Sequence, residues 1–306
     1  MGFWSCFAKT TFDPKNFGVV LSKFIHSDSK KVPIKVGIIG GSGLDNPDIM
    51  ENRQEKVVST IFGPPSDKII EGTVGKQKCA LLARHGRKHS TMPGNVNYRA
   101  NICALKKVGC THVLASFACG SLCENYKRGD LVIPSDFLDR TTKRQQTFFD
   151  GSKKAAKGIC HLPMYPIFSE PMRQILLKTA CELGISVHDG ATVVVIEGPR
   201  YSSRAESNWV KQAGGHLVNM TMVPEVILAK EAGLLYGAVA IATDYDSWRD
   251  DTDHVSAQSV LEVFAKNIQK VTGLLLKTIE NIPKQDWAND IQEAQNLVAN
   301  NLLTPE

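Results

Sequence analysis

The sequence contains no apolar run that approaches the roughly 20 residues of a membrane-spanning helix, so we expect no membrane span. It also has no block rich in lysine and arginine and no basic patch interleaved with aromatic residues. The formal net charge of +5 at pH 7 is too mild to indicate nucleic acid as a partner. It suits a small anionic substrate such as phosphate.

Cysteine is too sparse for a disulfide scaffold, because only eight cysteines are spread over 306 residues. No secretory signal is evident either. Cys119 and Cys123 form the closest candidate pair for a metal, but no further ligands follow at the spacing of a zinc site. We therefore expect reduced cysteines and no metal.

Residues 1–33 differ from the rest of the chain. Their start resembles a myristoylation signal, but Cys6 stands where serine or threonine is needed, and the segment lacks the arginines of a transit peptide. We predict a short flexible extension over 1–33 and one domain over 34–306.

Short apolar runs alternate along the chain with helical patterns. The runs show no polar alternation, which is typical of strands covered on both faces. We predict strands over 34–39, 79–83, 111–116, 131–133, 192–196, 216–220 and 236–242. We predict helices over 97–108, 171–183, 202–213, 224–232, 256–282 and 286–300. This alternation predicts an α/β fold with a mixed, largely parallel sheet.

Two polar segments that follow predicted strands suit an anion. In Gly40-Gly41-Ser42-Gly43, backbone N–H groups and the Ser42 hydroxyl can approach phosphate. The segment from Arg84 to His89 gathers cationic side chains, and an Arg fork beside an imidazole suits a tetrahedral oxyanion. A plain turn and a solvated basic loop explain the two segments as well when each is taken alone.

Two further segments combine polar groups with strand ends. Tyr201 can stack on a base, and Ser202 or Ser203 can cap the helix that follows. Asn219-Met220-Thr221 ends a strand, which is where open α/β sheets bind ligands.

Asp244 and Asp246 follow the strong apolar run over 236–242. On extended chain, residues two apart point to the same side, so the two carboxylates can accept from an amino group and hold a proton for a ring nitrogen. A surface turn explains the pair equally well in isolation.

Taken together, these segments resemble the methylthioadenosine phosphorylase family within the trimeric purine nucleoside phosphorylases. The resemblance covers residues 34–306 and rests on six motifs in order: Gly-Gly-Ser-Gly-Leu-Asp, Ala-Arg-His-Gly-Arg, Ala-Cys-Gly-Ser-Leu, Glu-Gly-Pro-Arg-Tyr-Ser-Ser-Arg-Ala-Glu, Asn-Met-Thr-Met-Val-Pro-Glu and Ala-Thr-Asp-Tyr-Asp. It implies an α/β domain whose central mixed β-sheet forms a distorted barrel flanked by helices. It also implies a homotrimer in the cytoplasm, with the nucleus as a second location.

The resemblance further implies a role for each candidate residue. Phosphate, a co-substrate, is expected at Ser42, Arg84, His85, Ala118 and Thr221. The nucleoside is expected at Tyr201, Met220, Asp244, Asp246 and Phe117. The 5′-methylthio pocket is expected at His161, Ala257, Val260 and Leu303, with Leu303 entering from the neighbouring subunit. No cofactor and no metal is implied.

The chemistry of these residues agrees with those roles. Phosphorolysis passes through an oxocarbenium-like sugar, and protonation of the leaving purine at N7 by Asp244 lowers the barrier. A 6-aminopurine donates to the carboxylate pair, whereas a 6-oxopurine places an oxygen there. We therefore predict cleavage of S-methyl-5′-thioadenosine to adenine and 5-methylthioribose 1-phosphate, with adenosine as a poorer substrate.

Phe117 is the main departure from the family pattern, which usually has threonine there. A phenyl ring cannot donate to phosphate or ribose, so we predict weaker affinity for one or both. Three departures are milder: this chain has Ser42 where the family often has threonine, Tyr201 where phenylalanine is common, and Ala257 where valine is common. Two alternatives stay open: a purine nucleoside phosphorylase of altered specificity, and a nucleoside-binding paralogue with weakened catalysis.

Overall fold

A computed structural model describes residues 33–41, 46–152, 155–250 and 255–304. Within these ranges the strands are β1 Val36–Gly40, β2 Glu51–Lys56, β3 Ile69–Val74, β4 Gln77–Ala83, β5 His112–Ser121, β6 Leu131–Ile133, β7 Asp136–Arg140, β8 Ile159–Cys160, β9 Val187–Asp189, β10 Thr192–Ile196, β11 Leu217–Asn219, β12 Leu235–Asp244 and β13 Leu302–Leu303. The α-helices described there are α1 Tyr98–Lys107, α2 Glu170–Glu182, α3 Arg204–Gln212, α4 Met222–Glu231, α5 Ala257–Asn281 and α6 Ala288–Asn300.

The large sheet is organised around β5. This strand pairs in parallel with β1 and β12, and antiparallel with β11. Beyond β1 the sheet continues through β4 and β3 to β2. β5 is therefore paired along both edges, with β12 on one and with β1 followed by β11 on the other, and almost all of its side chains are buried.

From β5 the sheet divides into two branches that meet again. One branch runs through β11, β10 and β7, and the other through β12, β6 and β9. β6 leads directly into β7 and β9 into β10, and at this junction the Gly190 N–H donates to the Ile133 carbonyl at 3.0 Å. The strands close on themselves, which confirms the expected distorted barrel of mixed strand direction.

Helices cover the sheet through two apolar clusters. α1 and α4 contribute Ile102 and Leu228 to one cluster, while α2 and α5 contribute Leu176 and Leu274 to the other. These side chains are fully buried, which accounts for the apolar faces read in the sequence. Among the described residues, no helix combines the length and the apolar character needed to cross a membrane.

The predicted strands and helices are all present, with their ends moved by a few residues. β5 extends five residues past its predicted end, through the segment Phe117–Ser121. α4 starts at Met222, but its backbone is non-helical at Val223, so regular helix begins at the predicted Pro224. The predicted extension over 1–33 lies outside the described residues except for Pro33, and the boundary at residue 34 stays a prediction.

Candidate active site

A cavity of about 380 Å³ lies where the carboxyl end of β5 meets the ends of β4, β11 and β12. Ten of the predicted site residues line it: Arg84, His85, Phe117, Ala118, Tyr201, Met220, Thr221, Asp244, Asp246 and Val260. Ser42 lies outside the described residues, although its neighbour Gly41 lines the cavity. The fold thus brings together segments that are more than 150 residues apart in the chain.

Arg84 is held rigidly at the end of β4. Its Nε donates to Glu225 Oε2 at 2.6 Å and its Nη2 to Glu225 Oε1 at 2.9 Å, while Nη1 donates to the Ser116 carbonyl at 3.1 Å. The Arg84 and Glu225 side chains are 1% and 0% exposed, so this is a fully buried ion pair. Three of the five guanidinium N–H groups are used in this way, and two remain for an anion in the cavity.

Phe117 lies against the same guanidinium. Its ring centroid is 4.5 Å from Arg84 Cζ, and the residue is 3% exposed. This is the distance of a cation–π contact, so the aromatic ring covers one face of the cation. The ring takes up space in the cavity beside Arg84, and its contact also stabilises the position of the guanidinium.

His85 is neutral in this site. Its Nδ1 is 2.7 Å from the Thr91 carbonyl, which can only accept, so Nδ1 carries the hydrogen and Nε2 is left as an acceptor. Burial lowers the pKa of His85 to about 4, and the positive charge of Arg84 acts in the same direction. A neutral imidazole of this tautomer accepts a hydrogen bond from a protonated phosphate oxygen.

Met220 and Thr221 are held at the cavity by Arg144. The Arg144 Nη1 donates to the carbonyls of Met220 and Val223 at 2.7 and 2.6 Å, and its Nη2 donates to the Glu197 carbonyl at 2.8 Å. Thr221 is the N-cap of α4, yet its side chain makes no capping hydrogen bond. Thr221 lines the cavity, so its hydroxyl is available to a ligand there.

The two carboxylates meet at the opposite side of the cavity, although not on extended chain as predicted. β12 ends at Asp244, and Asp246 adopts a left-handed backbone conformation with φ of 48°. The Asp246 N–H donates to Asp244 Oδ1 at 2.8 Å, which folds the turn back on the first carboxylate. Burial raises the pKa of both Asp244 and Asp246, and for Asp244 the second carboxylate adds to the increase. The pair is therefore suited to retain a proton at higher pH than an exposed aspartate.

A β-bulge places Asp244 and its neighbour together in the cavity. The β12–β5 register passes from Ala242 opposite Cys119 to Asp244 opposite Gly120, with Thr243 as the extra residue. In a regular strand Thr243 and Asp244 would point to opposite faces, whereas here both line the cavity. Gly120 makes room for them, because a Cβ at this position would lie 2.8 Å from Asp244 Oδ1.

The predicted 5′ residues divide into two groups. Val260 lines the cavity, but His161, Ala257 and Leu303 do not, and all three are exposed. Leu303 pairs with Ile159 in the β8–β13 ladder, and His161 directly follows β8, where its N–H donates to the Asn301 carbonyl at 3.0 Å. Within one chain this part of the predicted site is therefore incomplete.

Sequence reasoning missed several residues of the site. Glu225 holds the Arg84 side chain, and Arg144 holds the backbone of Met220. Each pair is far apart in the chain, so no local sequence pattern connects its members. Ser116 Oγ, which no motif predicted, is buried beside the cavity without a hydrogen-bond partner among the described residues, as is Nδ2 of Asn219 in the predicted segment Asn219-Met220-Thr221. Such groups are stabilised when a polar ligand binds. No group of three His, Cys, Asp or Glu residues within the described ranges is arranged to hold a metal ion.

The fold and the site geometry are those of a nucleoside-cleaving phosphorylase, and comparison with known proteins agrees. Residues 35–280 match the family model described as "Phosphorylase superfamily", so the chain belongs to this superfamily.

Its relatives narrow the relationship. S-methyl-5′-thioadenosine phosphorylase of Drosophila melanogaster is 60% identical over 273 residues, covering 89% of this chain and 94% of that protein. Purine nucleoside phosphorylase of Drosophila pseudoobscura pseudoobscura is 47% identical over 269 residues, covering 88% and 93%. Methylthioadenosine phosphorylase from Schistosoma mansoni in complex with adenine superposes with a TM-score of 0.86 at 42% identity, covering 88% and 99%. The resemblance to the methylthioadenosine phosphorylases is confirmed.

Proposed function

We propose that this chain cleaves S-methyl-5′-thioadenosine with inorganic phosphate, giving adenine and 5-methylthioribose 1-phosphate. One observation carries the proposal: Arg84, His85 and Thr221 line one side of a cavity whose other side is formed by Asp244 and Asp246. The first group suits a phosphate anion, and the second suits a 6-aminopurine. Phosphorolysis needs this arrangement, in which the nucleoside lies between a bound phosphate on one side and a carboxylic acid on the other.

The reaction breaks the bond from the sugar C1′ to N9 and forms a bond from C1′ to a phosphate oxygen. As the glycosidic bond lengthens, positive charge develops on the sugar and negative charge on the purine. Bound phosphate stabilises the sugar and then attacks C1′. Asp244 supplies a proton to N7, so adenine leaves as a neutral base.

The carboxylate pair also determines which purine fits. The 6-amino group donates to Asp246 or Asp244, whereas a 6-oxo group would face a carboxylate oxygen. Tyr201 is 37% exposed at the mouth of the cavity, where it can lie beside the base. These contacts favour adenine nucleosides over inosine and guanosine.

The 5′ side of the substrate requires a second subunit. Val260 alone of the four predicted 5′ residues lines the cavity of its own chain, while Leu303 is 61% exposed. We propose a homotrimer in which the partner subunit's Leu303 and the partner subunit's His161 complete the methylthio pocket. The cytoplasmic location is part of the same proposal.

Release of adenine from S-methyl-5′-thioadenosine, measured with and without phosphate, tests this function. Adenine that appears only with phosphate supports the phosphorylase. Adenine released without phosphate would indicate a hydrolase instead. Adenosine and inosine measured in parallel distinguish a purine nucleoside phosphorylase, for which inosine would be the better substrate.

The contact between Phe117 and Arg84 supports a second candidate, a nucleoside-binding protein of the same fold with weakened catalysis. The ring stands where a donor to phosphate or ribose is usual in the family. Tight binding of the nucleoside by calorimetry, together with no turnover at saturating phosphate, would favour this candidate.

A further inference from the structure

The Thr243 hydroxyl has one hydrogen to donate, and two neighbouring oxygens can accept it. Its Oγ1 lies 2.8 Å from Asp244 Oδ2 and 3.2 Å from the Cys119 carbonyl oxygen. The residue is 1% exposed and sits at the β-bulge of β12, beside the cavity. A hydroxyl donates one hydrogen bond, so it cannot donate to both oxygens at once.

The two arrangements correspond to two charge states of Asp244. When Asp244 is ionised, Thr243 donates to Oδ2. When Asp244 is protonated, the neutral carboxyl is a weaker acceptor, so Thr243 donates to the Cys119 carbonyl and the proton of Asp244 stays available for the purine N7. For Thr243 the two states differ by rotation of one O–H bond, without movement of a heavy atom.

We propose that Thr243 is a positioning residue for the reaction, whose hydroxyl turns from the Cys119 carbonyl to Asp244 as the carboxyl gives up its proton. A hydrogen bond to a charged acceptor is stronger than one to a neutral carbonyl. The turn therefore stabilises the carboxylate that forms when the purine leaves. Thr243 acts through Asp244 and takes no proton from the substrate.

Other charged and polar groups also face Asp244. The Asp246 carboxylate raises the pKa of Asp244, and the Arg128 guanidinium lowers it. From β5 and the loop before α3, the Cys119 thiol and the Tyr201 hydroxyl are close enough for the Asp244 charge to raise their own pKa values. The Thr243 hydroxyl differs from these groups because it has two alternative acceptors, Asp244 Oδ2 and the Cys119 carbonyl oxygen.

The inference rests on the proposed function for its kinetic part, so the test has two readouts. Thr243→Val keeps the shape and removes the hydroxyl, and Thr243→Ser keeps the hydroxyl. Thr278→Val is the matched control, because Thr278 is equally buried and its hydroxyl donates to the Leu274 carbonyl at 2.7 Å, away from the cavity. Thermal unfolding establishes that each variant is folded, and Thr243→Ala replaces Thr243→Val if that variant is not.

For S-methyl-5′-thioadenosine at saturating phosphate, we expect Thr243→Val to lower kcat about ten- to a hundredfold with KM changed less than about threefold, since a hydrogen bond to a charged group is worth that much. Loss of the donor raises the pKa of Asp244, so the basic limb of the pH–rate profile moves to higher pH. Thr243→Ser restores both kcat and the limb, and Thr278→Val changes neither.

The second readout needs no turnover. Titration of the carboxyl carbons by NMR, with Asp244→Asn as the assignment control, measures the pKa of Asp244 directly. We expect a higher pKa in Thr243→Val and a value near the original in Thr243→Ser. An unchanged Asp244 pKa in Thr243→Val overturns the inference. Absence of phosphate-dependent turnover in the original protein, with the pKa shift present, overturns the proposed function instead.

Discussion

Phe117→Thr tests the effect of the aromatic ring at the phosphate side of the cavity. The new hydroxyl provides a donor to phosphate or ribose, and a hydrogen bond to a charged group contributes about 1.5–3 kcal/mol. We therefore expect the KM for phosphate, for the nucleoside or for both to fall about ten- to a hundredfold. The ring is 3% exposed and lies 4.5 Å from Arg84 Cζ, so its loss leaves a cavity. By analogy with Phe→Ala substitutions, the free energy of unfolding falls by at most about 3–5 kcal/mol.

Steady-state kinetics over a matrix of phosphate and S-methyl-5′-thioadenosine concentrations gives both KM values, and urea unfolding gives the stability. Phe117→Val is the matched control, because valine has the shape of threonine without its hydroxyl. An equal fall in KM for both variants assigns the effect to ring size rather than to the donor. If neither KM falls in Phe117→Thr, the reasoning about this position is wrong.

Four further outcomes follow from the geometry. Asp244→Asn replaces an acceptor by an amide that can donate to a 6-oxo group, so the ratio of kcat/KM for inosine to that for adenosine rises; an unchanged ratio contradicts the specificity argument. Gly120→Ala places a Cβ 2.8 Å from Asp244 Oδ1, so kcat/KM falls while the helix content measured by circular dichroism stays unchanged. The control Gly273→Ala, whose added Cβ has no neighbouring side chain within 4 Å, leaves kcat/KM unchanged. Glu225→Gln leaves a buried guanidinium without its charge partner and lowers the free energy of unfolding by about 3–5 kcal/mol, measured by urea denaturation. The pKa of His85 is lowered by burial to about 4 in the folded chain, so the stability it contributes is complete above about pH 6.5 and declines as the pH falls towards 4; His85→Asn removes this part of the pH dependence of unfolding.

The fold was largely readable from the sequence, because buried strands and helices carry strong hydrophobic patterns. β2 shows where that signal ends. Its six residues, Glu51–Lys56, are all polar or charged and all exposed, so nothing in their hydrophobicity indicates a strand. It is an edge strand whose pairing with β3 is decided by the backbone of its neighbour.

The candidate site could be predicted where a reactive side chain directly follows a predicted strand, as at Arg84 and Asp244. The residues that contact these side chains from distant parts of the chain could not be predicted. Glu225 is 141 residues from Arg84 in the chain, and the role of Thr243 depends on a bulge that shifts the register by one residue. The left-handed conformation of Asp246 is a further example, since the sequence indicated extended chain there. Such features arise from tertiary packing and have no local signature.

The pairing of β5 along both edges has a consequence for how this protein can diversify. A strand that is hydrogen-bonded on both edges along its length has little room to shift for a larger side chain, and its carboxyl end forms the floor of the cavity. Changes in the size of the cavity are therefore easiest at the rim, where Tyr201 lies on a loop and Val260 lies in the first turn of α5. Libraries that vary the rim and leave Ser116–Gly120 untouched will contain more folded, active variants than libraries that vary the floor. Phe117 is a floor position at which the family resemblance led us to expect threonine.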